Sequence, residues 1–141
     1  MFLLDTNVLS ELGKLRPHGA VLAWVGSISP SHLFVSTMTI AEIQSGIERT
    51  RQQDAVKAAK IEGWLLEMIA TSQVLSMDLE IARIWAKIMH GKSKSLAEDA
   101  WIAATAKHRH LTIATRNARD FADFGVDVFN PFEDMRPRAE T

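Results

Sequence analysis

Four carboxylates stand where the chain passes from one local pattern to another, and together they could carry metal-assisted or acid–base chemistry. Asp5 ends the apolar run Met1-Phe2-Leu3-Leu4, and the polar pair Thr6-Asn7 follows it. Glu42 closes the stretch Thr39-Ile40-Ala41-Glu42. Asp99 comes just after Ser95-Leu96-Ala97-Glu98, and Asp120 just after Thr115-Arg116-Asn117-Ala118-Arg119. Each has a plainer reading. Asp5 could cap the next helix, Glu42 could reciprocate Thr39 in a capping box, and Asp120 could simply favour a helix's positive end. Asp99 resists such a reading, because Ser95 and Glu98 already form a capping pair. Its neighbours at helical spacing are Leu96, Ile102, Ala103 and Ala106. A carboxylate on that apolar face is costly unless something satisfies it, and Glu98 reads as the more peripheral of the two.

Carboxylates a few ångströms apart repel by about 4 kcal/mol per pair at an effective dielectric near 20. A hard divalent cation offsets that repulsion. With no Cys in the chain and no His near these acids, an oxygen-only donor set points to Mg²⁺ or Mn²⁺. The chemistry to expect is phosphodiester hydrolysis, with a cation-activated water and a free carboxylate to take its proton. Thr115 and Asn117 flank Asp120 and suit hydrogen bonding to such a water; Asn7, beside Asp5, is grouped with them as a supporting residue.

The elements that must position these acids alternate in type. Short apolar runs at the N-terminus, His32–Ser36, Gln73–Met77, Leu111–Thr115 and Val126–Phe129 read as strands, and the first has no alternation, as in a strand buried on both faces. Amphipathic segments fill the gaps: Val8–Leu15, Ala20–Ile28, a helix opened by the Thr39–Glu42 box, Asp54–Thr71, a helix capped by Asp78, Leu96–His108, and a short one capped by Asn117. This alternation predicts a single α/β domain with a parallel sheet of four to five strands, flanked by helices on both faces. Residues 1–134 form the predicted domain and 135–141 a frayed tail. Ligands of open parallel sheets bind beyond the carboxyl ends of the strands. A crossover helix starts at that same edge, so the pattern delivers all four acids to one side.

Composition sets limits. The chain has 141 residues, 47% hydrophobic and 23% charged, with net charge −1; one domain of this size buries roughly two-thirds of its unfolded surface. The absence of cysteine excludes disulfides and thiolate metal sites and points to a cytoplasmic setting. No apolar segment approaches membrane-spanning length, so no membrane partner is expected. Gly91-Lys92-Ser93 imitates the end of a phosphate-binding loop, but position 86 is Ala and a helix precedes it. A phosphoacceptor receiver domain also gathers acids at a sheet edge, yet here strand one ends in a single acid and no Lys follows strand five.

The spaced stretches Leu4-Asp5-Thr6-Asn7, Thr39–Gly46, Asp99–Ala106 and Thr115–Phe121 resemble, in order and over nearly the whole chain, the motifs of PIN-domain ribonucleases. They are most similar to the VapC/FitB-type toxins of bacterial toxin–antitoxin pairs. The resemblance implies a PIN-like fold, an Mg²⁺- or Mn²⁺-dependent endoribonuclease with RNA as substrate, a homodimer, and a cognate antitoxin that blocks the site. It implies that Asp5, Glu42, Asp99 and Asp120 form an acidic quartet, with Asp5 and Asp99 the direct metal ligands. The segment His90–Ser95 is shorter than these toxins usually have and lacks their Gly-Arg-x-Ile lead-in. Two other readings stay open: a PIN-like protein acting on DNA, or a non-catalytic one that binds nucleic acid or a basic peptide in its acidic pocket.

Overall fold

Phe2-Leu3-Leu4 carries no polar residue to turn toward water, so it can only be covered on both sides. In the computed structural model, which describes residues 1–133, it forms β1 (Phe2–Leu4), the middle strand of a five-stranded sheet. The others are β2 (Leu33–Ser36), β3 (Gln73–Leu75), β4 (Thr112–Ala114) and β5 (Val128–Phe129). Their order is β3-β2-β1-β4-β5, and every pairing is parallel. The helices are α1 (Thr6–Leu12), α2 (Gly19–Ser27), α3 (Thr37–Arg51), α4 (Ala55–Thr71), α5 (Leu79–Met89), α6 (Ala97–Arg109) and α7 (Ala118–Phe121). The expected α/β fold is therefore present. The predicted domain edge at 134 and the tail at 135–141 lie outside the described residues.

Register decides which side chains go to which face. Leu3 pairs with Phe34 and Ile113, and this row packs under α5, α6 and α7 with Ile81, Ile102, Ala103 and Phe121. Leu4 pairs with Val35 and Ala114, and that row packs under α1 to α4 with Val8, Leu9, Ile47 and Leu65. Leu3 and Leu4 are 0% and 3% exposed; burying each contributes about 2 kcal/mol. A one-residue slip would exchange the two rows between unlike cores, so the register is tightly specified. The alanines of α6 explain its central place: Ala100, Ala103, Ala104 and Ala106 are all buried, letting the helix lie close to the sheet.

Connections run outward from β1 to β2 and β3 on one side, then return across the sheet to β4 and β5 on the other. The direction reverses between β1 and β4, the switch point at which sheets of this kind take ligands beyond the carboxyl ends of their strands. Asp5 and Thr115 are the first residues past those two ends.

Two predicted helix starts are corrected. Helix α3 begins at Thr37 rather than Thr39, capped by Ser36, whose hydroxyl accepts from Met38 N at 3.1 Å. The pairing of Val35 with Leu4 and Val74, and of Ser36 with Leu75, fixes where β2 must end. The chain turns at once, and Thr39 falls inside the helix, fully buried. Likewise Ser95 caps nothing. Ser93 caps a 3₁₀ turn over Lys94–Leu96, and α6 follows with Leu96 at its N-cap and no side-chain cap bond. Asp78 does cap α5, as expected, and Asp54, read as the first residue of its helix, is instead the N-cap of α4. No helix among the described residues is long and apolar enough to cross a membrane.

Candidate active site

Asp5 serves two structures at once. Its backbone N–H extends the ladder, donating to Ala114 O at 2.9 Å. One carboxylate oxygen, Oδ1, accepts from Thr6 N at 2.8 Å and so caps α1. The other, Oδ2, accepts from Thr115 Oγ1 at 2.8 Å and Asn7 Nδ2 at 3.2 Å. The capping reading of Asp5 is thus correct and incomplete. Asp5 is only 6% exposed, and burial pushes its carboxyl above the usual carboxylate range. Hydrogen bonds from Thr115, Thr6 and Asn7 oppose that shift, and the charge of Asp120 adds to it.

Thr115 is the hub of this network. Its hydroxyl proton goes to Asp5, and its oxygen accepts from Asn117 N at 3.0 Å and Asn7 Nδ2 at 3.3 Å. Asn7 Oδ1 in turn accepts from Arg116 N at 3.1 Å. The loop after β4 is therefore tied to the first turn of α1, and both ends of the tie hold Asp5. Thr115 is fully buried with its hydroxyl proton engaged, so its first task is to orient Asp5. Asn117 is the N-cap residue of α7 by position, but its side chain makes no cap bond; its contribution to the network is its backbone N–H.

The other acids arrive from three helices. Glu42 lies in the second turn of α3, one turn later than a capping-box partner would. Burial raises its carboxyl to about 6, the Thr6 hydroxyl opposes, and the charges of Glu98, Asp5 and Asp99 raise it further. That hydroxyl is shared: it also reaches Thr39 Oγ1 at a long 3.4 Å. Asp99, in the first turn of α6, is raised to about 6 as well, by burial first and then by the charges of Asp5, Asp120 and Glu98. Asp120 sits in the first turn of the short α7 and is exposed. Asp5, Asp99 and Asp120 all lie within electrostatic reach of one another, and Glu42 reaches Asp5 and Asp99.

Two participants escaped the sequence reading. Glu98 is exposed, as a peripheral residue would be, yet its charge acts on both Glu42 and Asp99. Thr6 links Asp5 to Glu42 and Thr39; its position directly after the strand-ending Asp was the only signal available. Among the described residues, no three acidic or imidazole groups close into a ready-made metal cage. The arrangement gathers negative charge without neutralising it, and so favours whatever positive or proton-bearing species enters the crevice.

The model of the PIN domain family matches residues 2–126. The chain is 37% identical to the toxin FitB of Neisseria gonorrhoeae, over 95% of this chain and all of that one. It is 36% identical to a VapC ribonuclease of Sinorhizobium fredii, over 94% of this chain and 99% of the relative. Among solved structures, the crystal structure of FitAcB from Neisseria gonorrhoeae superposes with a TM-score of 0.81 at 35% identity, covering 94% of this chain and 99% of that one. Parallel sheet, reversal beside the first strand, and four spaced motifs at one edge agree with these matches: the chain belongs to the PIN domain family.

Proposed function

We propose that the chain is a divalent-metal-dependent endoribonuclease, acting as the toxin of a toxin–antitoxin pair and held in check by a small antitoxin protein. The observation that carries the reading is the unneutralised cluster, in which Glu42 and Asp99 are driven to about 6 beside the buried Asp5. The similarity to a protein named as a VapC ribonuclease supports RNA as the substrate. The likeness to toxin–antitoxin structures supports an antitoxin partner, and pairing of two toxin chains is part of the same proposal.

The donor set fits Mg²⁺ or Mn²⁺. It is all oxygen, and carboxylates of this kind suit an ion that keeps several waters and takes one or two of them. Asp5 and Asp99 are the residues that would hold it. When bound, the cation supplies a Lewis acid that activates water at neutral pH and offsets charge on the departing oxygen. The protein's own part follows from its hydrogen bonds and burial. Thr6, Asn7 and Thr115 fix the Asp5 carboxylate, so no orientation remains to be found when substrate arrives. Glu42, with a proton affinity matched to neutral conditions, takes the proton of the attacking water. Asp120, exposed in the first turn of α7, orients that water.

The test is cleavage of a single-stranded RNA by purified protein with Mg²⁺ or Mn²⁺, beside EDTA and single-stranded DNA controls. Asp5→Ala and Asp99→Asn should each lower the rate by at least about a hundredfold, and Asp5→Ala should also abolish growth arrest on induction. Cleavage that persists in EDTA, or that favours DNA, would refute the reading.

A further inference from the structure

The loop that carries Thr115 also carries a cation that the acid network leaves unused. The backbone of Arg116 is fixed on both sides, its N–H bonded to Asn7 Oδ1 and its neighbours Thr115 and Asn117 bonded to each other. Its exposed side chain departs from that network and lies over the ring of Phe132, with Cζ 3.8 Å from the ring centroid. Phe132 is itself held: its N–H donates to Asn130 Oδ1 at 2.9 Å, and its ring meets His18 at 5.4 Å.

Nothing among the described residues neutralises this guanidinium. Arg116 enters none of the ion pairs. The carboxylate that feels its charge, Glu11, is already held by Lys14 Nζ at 2.7 Å and His18 N at 2.8 Å. Stacking occupies the flat face of a guanidinium and leaves its N–H edges free, which is the geometry that takes two phosphate oxygens at once. The loop that carries Arg116 adjoins Asp5 through Asn7, and the acids gathered there, Asp5, Glu42, Glu98, Asp99 and Asp120, repel a polyanion. A fixed positive group on the same loop, outside the acid cluster, is what a nucleic-acid backbone needs to approach. Lys14, the neighbouring cation, is engaged with Glu11.

We propose that Arg116 is a substrate-binding residue, gripping a backbone phosphate of the bound RNA from its perch on Phe132. The inference rests on the ribonuclease reading and adds to it the group that brings the RNA against the acids. A stacked arginine gives up less side-chain freedom on binding than a free lysine would.

The test is binding of a short single-stranded RNA, followed by fluorescence anisotropy in EDTA so that no strand is cut. Affinity is measured across roughly 50 to 200 mM KCl, where each phosphate contact to a single strand contributes about 0.7 to the slope of log affinity against log salt. Arg116→Gln should bind about tenfold more weakly at the low-salt end and lose about 0.7 of the slope. Arg116→Lys should restore the slope but not the full affinity, because a point charge replaces the fork. A merely structural role would leave the slope untouched. If Arg116→Gln keeps the parent slope, Arg116 holds no phosphate and this inference falls, while the parent's own RNA binding leaves the ribonuclease reading standing. If the parent shows no salt-dependent RNA binding, both fall together.

Discussion

Replacing Asp99 by Asn should make the metal-free protein more stable while destroying its activity. The substitution keeps shape and removes one charge from a group of mutually repelling acids. Asp99 is raised from an ordinary 3.8 to about 6, by burial first and by Asp5, Asp120 and Glu98 after it. Because the folded value lies above the unfolded one, the stability this carboxyl contributes is complete below about pH 4 and is lost as pH rises through about 6. Each tenfold change in proton affinity is worth about 1.4 kcal/mol, so the full effect is about 3 kcal/mol. Asp99 is only partly buried, and solvent screening brings this to about 1.5 kcal/mol. For a chain of 141 residues, that is a rise in melting temperature of about 5 °C. The assay is thermal unfolding of both proteins in EDTA. The gap should be widest near pH 7.5 and shrink to about a third of that near pH 4.5. Adding Mg²⁺ should raise the parent's melting temperature and leave the variant's nearly unchanged. A variant that melts at or below the parent near neutral pH, or a gap that ignores pH, would refute the argument that these charges strain one another.

Thr115→Val keeps the volume of a fully buried side chain and removes the donor to Asp5 and the acceptor for Asn117 N. The cost should be about 2–3 kcal/mol in urea unfolding at neutral pH, and smaller in acid, where Asp5 is protonated and needs no donor. Gly13 is the C-cap of α1, and a Cβ there would lie 2.8 Å from the Trp64 ring, closer than van der Waals contact allows. Gly13→Ala should therefore lose about 1–3 kcal/mol, and a double-mutant cycle with Trp64→Leu should recover most of it. If the loss persists in the Trp64→Leu background, the ring is not its cause.

The sheet, its direction and the edge where the acids meet were legible because strand runs and crossover helices leave strong periodic marks. Asp5 was legible for the same reason, since it ends an apolar run with nothing polar before it. Asp99 announced itself by its apolar helical neighbours, and it is partly buried and electrostatically strained. What failed was capping. Ser/Thr followed three residues later by Glu is a local signature, whereas the true caps, Ser36 for α3 and Leu96 for α6, are set by sheet register and by the 3₁₀ turn that precedes α6. The roles of Thr6 and Glu98 were illegible for a different reason. Their importance depends on which helices face each other across the crevice, and no spacing within one segment encodes that.

The placement of β1 between β2 and β4 has a consequence for the cell that makes the protein. The crevice is stitched shut only when residue 5 meets residue 115, so a nascent chain emerging from a ribosome holds Asp5 and Glu42 without Thr115, Asp99 or Asp120. Long-range closure of this kind comes late in folding. On the ribonuclease reading, the site is unassembled until most of the chain has been translated, which leaves time for the proposed antitoxin to be waiting.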